Sequence, residues 1–472
     1  MDSTNFFIGG AIWDWVDQGI TRFGENNGNL YFGGSFGDVP NDNDFCLNGI
    51  VTADRRVTAK LLQVRKVYQY VKISRSGNTL TLENRYTSYN LSEMELRYKV
   101  LHSGTVVSSG TVSLPDTGPW SSCQVTLDDK ALRDTDGREV TLQVEVCLRN
   151  PARWAEAGHV VASEEFMINE HLGSLSPDTR EGSSPLRVFM EEDRYLKAEN
   201  DKVQVCFDKY EGKLLSLKMN GAEILHMREG PAFNGYRYIS NDAARFTGPE
   251  GHSSLYTVSR LTSFVFSEED GDLHVEASLD ATRAEVTVPY KVVYDVHRSG
   301  SVDVTASFDP QEGFSLHRLG LRMFLNPEYE NVKWYGRGPM ENYIDRKDAA
   351  YLGVYESTVT DMVEPYARTQ SMGERTDTRW IRFSSADGKT LIIRADKPLS
   401  FSAQHFTDED IFKARYFHEL ENVRRSEVVL NLDCFMDGIG NGSCGPGTLE
   451  KYKIVPGEEY SFKFRIEATS AY

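Results

Sequence analysis

The segment that decides the fold class is Ser92–Val100, which reads Ser-Glu-Met-Glu-Leu-Arg-Tyr-Lys-Val. Apolar and charged residues alternate along it, and a period of two sends successive side chains to opposite faces of a β-strand. Val140–Leu148 has the same pattern, with valine or leucine at every second position. Because one face of each segment is apolar and the other is polar, both segments predict strands of an antiparallel sheet that buries one face.

Similar segments recur from residue 71 to residue 472, with few long helical periods between them. The runs Val286–Val296 and Val302–Phe308 flank the short polar segment His297–Gly300, and this arrangement predicts a β-hairpin. We therefore predict a mainly β protein.

Residues 1–70 have a different character. The apolar run Phe7–Trp15 predicts a short buried strand, and a loop rich in Gly and Asn follows over residues 24–48. A helix is predicted next. Val57, Leu61, Val64 and Tyr68 are spaced at i, i+4, i+7 and i+11, which places them on one helix face. One strand–loop–helix unit cannot cover its own faces, so we expect it to be the last piece of a larger unit. Its strand edge and helix face should then be exposed and favour intermolecular association.

Residues 169–185 are rich in Ser, Gly, Pro and charged side chains, which predicts a linker. The linker separates a β domain over residues 71–168 from a larger one over residues 186–472. Residues 1–70 form the remaining part of the predicted domain organisation.

The chain has 472 residues, and its 52 Lys and Arg against 70 Asp and Glu give a formal net charge of −18. A polyanion without a basic block repels phosphate groups and anionic lipid, so we expect neither nucleic acids nor membrane surfaces as partners. No apolar run approaches the ~20 residues of a membrane-spanning helix.

The six cysteines are widely scattered and show no paired spacing, which disfavours a zinc site or a disulfide framework. Buried reduced thiols favour a reducing compartment. No basic stretch followed by an apolar region is visible at the start of the chain, so we expect no signal peptide and a cytoplasmic location.

Seven short motifs occur in order along the chain. They are Gly9–Gln18 (GGAIWDWVDQ), Phe36–Asp38, Pro40–Asp42, Phe45–Gly49 (FCLNG), Trp154–His159, Tyr335–Tyr343 and Met436–Gly440. Together they resemble the LacZ-type β-galactosidases of glycoside hydrolase family 2. The resemblance implies the end of a (β/α)8 catalytic barrel, then an immunoglobulin-like β-sandwich, then a large galactose-mutarotase-like β-sandwich.

The resemblance implies hydrolysis of terminal β-D-galactosides such as lactose by a retaining mechanism, which uses two carboxyl groups ~5–5.5 Å apart. In the family both catalytic Glu precede the Gly-Gly-x-x-Trp-Asp-Trp strand, and a whole barrel takes ~200 or more residues. We therefore expect no catalytic residue in this chain, no activity of the chain alone, and a missing N-terminal half as its partner.

The N-terminal segment still offers several carboxylates: Asp14, Asp17, Glu25, Asp38, Asp42 and Asp44. We do not expect any two of them to form the catalytic pair. Asp14 and Asp17 are expected to cap, to pair with Arg or to bond loop amides.

Three residues of the N-terminal segment are candidate binding residues by resemblance. Trp13 is expected to stack on the galactosyl ring; the alternative is that it belongs to the core, like Trp15. The main-chain oxygen of Phe45 and the amide oxygen of Asn48 are expected sodium ligands next to the sugar, in a site that this chain cannot complete.

Two further residues carry weaker implications. Asn41 matches a residue near the family's magnesium, where its role would be indirect; the alternative is a turn-forming Asn. Cys444 stands where some relatives have a Trp under the acceptor sugar. A Cys supplies no stacking platform, so a small buried apolar side chain is the alternative there.

Other parts of the large sandwich bear on its interfaces. The segment Phe233–Asp242 departs from the family pattern that precedes a mobile loop, so loop closure is expected to differ. Five residues around a Gly-Pro turn are expected to hold the sandwich against the barrel segment: Arg337, Glu341, Asn342, Tyr343 and Arg346.

Two other functions stay open. One is a non-catalytic module that binds carbohydrate or mediates assembly, and relatives that form dimers or tetramers make a homo-oligomer an expected partner. The other is mutarotase-like sugar epimerisation by a His and an acid. The candidates for it are His317, His405 and His418, with Glu419 and Glu421.

Overall fold

The computed structural model describes residues 6, 9–25, 27–133, 137–171, 175, 183–239, 257–283, 286–312, 316–440 and 448–469. Most of the predicted linker, Cys444 and the end of the Phe233–Asp242 segment lie outside these residues.

The N-terminal segment contains one regular element in its described part, the helix α1 over Ala59–Val67. It begins after Thr58, whose hydroxyl accepts a hydrogen bond from the Leu61 amide. The strand predicted over Phe7–Trp15 is wrong for residues 9–15, where only a single parallel bridge follows, between Val16 and Val51. Four backbone hydrogen bonds still join residues 14–17 to residues 48–51, a ladder too short for a regular strand.

The middle of the chain folds into two antiparallel sheets as far as the described residues go. One sheet has the order β1-β2-β5 and the other β4-β3-β6-β7. The bounds are β1 Val71–Ser76, β2 Thr79–Asn84, β3 Met94–His102, β4 Thr105–Ser113, β5 Ser122–Thr126, β6 Val140–Leu148 and β7 Val160–Asn169. The predicted alternation is confirmed, since Met94, Leu96 and Val100 are buried while Arg97 and Lys99 are exposed. Two such sheets around one core form an immunoglobulin-like sandwich.

The remainder of the described chain forms a larger sandwich of two sheets. The smaller sheet has the order β12-β11-β10-β9-β8. The larger one has the order β13-β18-β23-β22-β24-β17-β16-β15-β14, and β19, β20 and β21 branch from it. The bounds are β8 Arg187–Glu191, β9 Tyr195–Glu199, β10 Val203–Asp208, β11 Lys213–Met219, β12 Ala222–Glu223, β13 Ala232–Asn234, β14 Val258–Glu269, β15 Asp272–Arg283, β16 Val286–Val296, β17 Val302–Phe308, β18 Arg318–Leu325, β19 Asn331–Gly338, β20 Tyr351–Thr358, β21 Arg375–Ser384, β22 Thr390–Gln404, β23 Val428–Met436 and β24 Tyr460–Thr469.

One apolar core joins the two sheets of the larger sandwich. Phe207 of the smaller sheet and Val292, Val304 and Phe464 of the larger sheet belong to the same buried cluster. The β16–β17 hairpin has the bounds that the sequence predicts. Two short helices, α2 Asp408–Lys413 and α3 Phe417–Glu421, follow β22. No described helix has the length and apolar character needed to span a bilayer.

The two sandwiches meet through buried polar contacts. The Glu139 carboxylate accepts hydrogen bonds from the Tyr335 hydroxyl and from Arg379, whose Nη2 lies 2.8 Å from Oε2. Arg337 pairs with Asp377 in its own sandwich and with Glu165 of β7, at 3.3 Å. Charged groups that are removed from water need such partners, so these pairs determine how the two sandwiches are oriented.

Five residues around the Gly-Pro turn were expected to hold the sandwich against the barrel, and this stays a prediction: the charges of Glu341 and Arg346 reach Lys60 of α1, while the hydrogen bonds of the five have other partners. Arg337 reaches the immunoglobulin-like sandwich instead. Glu341 accepts from Arg346 and from the Gly373 amide, and Asn342 accepts from Thr376. The backbone of Tyr343 pairs with that of Arg346. The turn folds back on its own domain, which uses up these polar groups locally.

Replacing Glu139 with Ala is expected to destabilise the chain by about 3–5 kcal/mol, because Arg379 would be left buried without its counter-charge. Thermal and urea unfolding measure the loss. Glu83→Ala is the matched control, since Glu83 pairs with Arg85 near the surface and should cost less than about 1 kcal/mol. Equal losses for the two variants would contradict the role of Glu139.

Candidate functional site

Trp13 lies next to the end of the Gly- and Asn-rich loop. The amide of Asp14, which follows it, donates to the Asn48 carbonyl at 3.1 Å, and the Ile50 amide donates to the Asp14 carbonyl at 3.0 Å. Trp13 is 79% exposed and Trp15 is 59% exposed, because the described chain places no sheet over them. Whether Trp13 belongs to a core or to a sugar site thus stays a prediction. The backbone bonds of Asp14 attach Trp13 to the end of the loop.

The two candidate sodium ligands lie within one turn of the loop. The side-chain amide nitrogen of Asn48 donates to the Phe45 carbonyl at 3.3 Å. The other end of that amide, Oδ1, is buried and accepts no hydrogen bond from the described residues. A buried acceptor without a donor costs about 1–3 kcal/mol, and a hard cation prefers oxygen donors of this kind. The Phe45 carbonyl is thus occupied by the Asn48 nitrogen while Oδ1 is open, and sodium binding by this pair stays a prediction.

A clamp around Gly49 holds this loop. Asp17 Oδ1 accepts from the Gly49 amide at 2.7 Å, and Lys60 of α1 donates to the Gly49 carbonyl at 2.6 Å. Burial raises the pKa of Asp17, against the opposing charge of Lys60, and burial lowers the pKa of Lys60. A Cβ at Gly49 would collide with the Val16–Asp17 backbone. Our sequence reasoning missed Lys60, because its position on α1 gives no sign that it reaches back to the loop.

Asn41 belongs to a turn in the same loop. Its amide nitrogen donates to the Asp38 carbonyl at 2.8 Å, and its oxygen accepts from the Asn43 amide at 3.0 Å. Asn43 has a positive φ of 56°, as such a turn requires. This geometry is that of the turn-forming alternative, because both ends of the Asn41 amide are used.

The carboxylates of the segment serve the loop. Asp14 accepts from the Trp15 amide and from Gln18, and Asp17 accepts from Gly49, as predicted. Glu25 accepts from the Tyr31 hydroxyl, and Asp38 accepts from the amides of residues 34 and 36. Among the described residues, no group of three or more His, Cys, Asp or Glu is placed to hold a metal ion.

The large sandwich holds the loop through the residues between α2 and α3. Arg415 donates to the Gly33 carbonyl at 2.8 Å and to Asn43 at 3.0 Å. The Tyr416 hydroxyl lies 2.6 Å from Ser35 Oγ, and its ring packs on Phe32. The sequence offered no motif for these contacts, since they join residues almost four hundred positions apart.

The three histidines proposed for epimerisation have separate partners. His405 lies 2.9 Å from Glu330, and His317 lies 3.2 Å from Asp437. His418 stacks on the Tyr416 ring, and Glu419 accepts from the backbone amides before α3. His405 and His317 thus each contact an acid, but no hydrogen bond among the described residues joins any of the three histidines to Glu419 or Glu421.

A second group of polar residues is buried inside the large sandwich. Arg318 lies 2.9 Å from Asp408, 3.2 Å from Asp433 and 3.7 Å from Glu374. Burial raises the pKa of Asp433 to about 7 in spite of Arg318. Burial and the neighbouring Asp433 raise the pKa of Glu374 well above its usual range. The two carboxyl groups therefore retain protons that exposed acids release.

Three family models match the chain. "Beta galactosidase small chain" matches residues 199–466, "Beta-galactosidase, domain 4" matches residues 80–169, and "Glycosyl hydrolases family 2, TIM barrel domain" matches residues 1–73. The first of them covers more than half of the chain. The chain belongs to the β-galactosidase small-chain family. The resemblance to the β-galactosidases of glycoside hydrolase family 2 is thus confirmed, as is the mainly β fold with a barrel-derived N-terminal segment.

Curated β-galactosidases are similar over nearly the whole chain. That of Priestia megaterium is 27% identical over 97% of this chain, and that of Streptococcus thermophilus is 28% identical over 98% of it. The chain spans 44% of the length of each. A galactose mutarotase related enzyme of Lactobacillus acidophilus superposes with a TM-score of 0.36 at 10% identity, over 58% of this chain and 97% of that one.

Replacing Asp433 with Asn is expected to reduce the loss of folding stability that the chain shows as the pH rises. With a pKa of about 7 in the fold and an ordinary value of 3.8, Asp433 holds its proton where the unfolded chain releases it. The wild type therefore loses stability as the pH rises from about 4 to about 7, and Asn, which does not ionise, avoids this loss.

Denaturant unfolding at about pH 5 and about pH 8 checks this prediction. The free energy of unfolding of Asp433→Asn minus that of the wild type should become more positive at the higher pH. For the exposed control Asp387→Asn, whose carboxyl has a lowered pKa, the difference should not rise. A pH-independent difference for Asp433→Asn would contradict the raised pKa.

Proposed function

We propose that the chain is the C-terminal portion of a β-galactosidase that hydrolyses terminal β-D-galactosides such as lactose. Two features support this proposal: the exposed Trp13, whose neighbour Asp14 is bonded to the Asn48 backbone, and the unpartnered Oδ1 of Asn48. An aromatic face suits the apolar side of a galactosyl ring, and a nearby cation suits its hydroxyl oxygens. The names of the curated relatives support the same substrate class.

The chain's own residues bind and orient the sugar. Trp13 stacks on the ring, and Phe45 and Asn48 supply oxygen ligands to sodium, which offers a fixed positive charge to sugar hydroxyls. The Gly49 clamp of Asp17 and Lys60 holds Asn48 in place. Asn41 builds a turn of the loop with both ends of its amide, and through this turn it acts indirectly on a nearby magnesium.

The reacting carboxylates come from elsewhere. Retaining hydrolysis needs one carboxyl to protonate the leaving oxygen and another to attack the sugar. Four carboxylates of the N-terminal segment, Asp14, Asp17, Glu25 and Asp38, bond loop groups instead. The catalytic pair is then supplied by the part of the relatives that this chain does not span. The chain by itself then hydrolyses no galactoside. A cytoplasmic location and a homo-oligomeric assembly stay predictions.

A chimaera tests the proposed function. In this chimaera the chain replaces the matching 44% of the Priestia megaterium β-galactosidase. The rest of that enzyme, its N-terminal portion, is kept. We expect the chimaera to hydrolyse o-nitrophenyl-galactoside and the chain alone not to do so. Trp13→Ala in the chimaera should lower kcat/KM about 10-fold to about 100-fold, because the stacking contact is lost.

The matched control is Trp120→Ala, which removes an equally open tryptophan, 70% exposed, from the immunoglobulin-like sandwich. It should leave kcat/KM unchanged. Turnover by the purified chain alone, or equal effects of the two tryptophan variants, would overturn the proposal.

The sodium ligands are tested without activity. Binding of sodium to the chimaera should broaden the ²³Na resonance, and Asn48→Leu in the chimaera should reduce the broadening because a ligand oxygen is gone. Asn331→Leu, which removes an exposed amide far along the chain, is the control. If Asn48→Leu broadens the signal as the wild type does, Asn48 is not a sodium ligand.

A further inference from the structure

Asp44, the carboxylate next to the candidate ligand Phe45, has its ion-pair partner in the large sandwich. The residue is 4% exposed, and its Oδ2 lies 3.7 Å from Nε of Arg368. Arg368 lies between β20 and β21. An aspartate is almost never buried to this extent unless it is paired, so the contact with Arg368 allows the N-terminal loop to bury a carboxylate here.

The large sandwich holds the guanidinium of Arg368 at both terminal nitrogens. Nη2 donates to the Tyr238 hydroxyl at 2.6 Å, and Nη1 donates to the Arg415 carbonyl at 3.1 Å. The remaining donor, Nε, is buried and makes no hydrogen bond among the described residues. A guanidinium is a rigid fork, so two occupied nitrogens fix the direction of the third. Arg368 therefore presents a fixed positive charge to Asp44.

The turn that carries Asp44 also carries Phe45 and Asn48. The Phe45 amide donates to the Asp42 carbonyl at 3.1 Å, and the Leu47 amide donates to the Asp44 carbonyl at 2.9 Å. The Asn48 amide nitrogen then donates to the Phe45 carbonyl at 3.3 Å. Because the backbone of Asp44 is part of this bonding, a displacement of its side chain also shifts the Phe45 carbonyl.

We propose that Asp44 and Arg368 are positioning residues, which hold Phe45 and Asn48 in the geometry that binds the sugar. The inference deepens the proposed function and rests on it. Neither residue of the pair contacts the sugar, and both act through the turn. Residues that orient the groups of a binding site typically contribute about 10-fold to about 100-fold to affinity. The large sandwich thus takes part in sugar binding through one ion pair.

Amide hydrogen exchange in the chain alone tests the positioning without activity. Asp44→Asn keeps the shape of the side chain and removes its charge, so the turn should open more often. We expect exchange over residues 42–48 to become at least about tenfold faster, and exchange over β3 to stay the same. The matched control is Glu139→Gln, which removes the charge from the buried pair with Arg379 between the two sandwiches. Unchanged exchange over residues 42–48 in Asp44→Asn, or an equal change in the control, overturns the proposal.

Kinetics of the chimaera test the link to sugar binding. Asp44→Asn should raise KM for o-nitrophenyl-galactoside about tenfold and change kcat less than about twofold, because the reacting carboxylates do not move. Asp44→Glu, which keeps the charge, should recover most of the loss, and Glu139→Gln should leave KM unchanged. Equal KM values of Asp44→Asn and the wild type overturn the proposal and leave the proposed function standing. A wild-type chimaera without activity overturns the proposed function instead, and exchange in the chain then decides whether Asp44 holds the turn.

Discussion

Arg318 holds a positive charge in the interior of the large sandwich, and distant parts of the structure depend on its partners. It contacts Asp433 of β23 and Asp408 at the start of α2. A buried charge that loses its partner costs several kcal/mol, so β18, β23 and α2 are held together. Arg415 and Tyr416, which follow α2, form hydrogen bonds with the N-terminal loop. An ion pair in the core thereby determines where the candidate sugar-binding residues lie.

The N-terminal segment shows how a stretch with little regular structure can still present a defined surface. Its loop is held from outside by Arg415 and Tyr416, and from inside by the Gly49 clamp. Three of these contacts use a backbone carbonyl or amide that a sheet would otherwise satisfy, and the Tyr416 contact joins two hydroxyl groups. The open indole of Trp13 is therefore attached to a fixed backbone.

The sequence by itself determined the mainly β class, the strands around Met94–His102 and Val140–Leu148, and the β16–β17 hairpin. Local alternation decides these features, because burial of one face requires a period of two. The motifs also determined the family and pointed to Trp13. Only the tertiary structure decided that residues 9–15 form no strand, that Lys60 clamps Gly49, and that Asp44 pairs with Arg368. Those features depend on contacts between residues far apart in the chain, and no local pattern records such contacts.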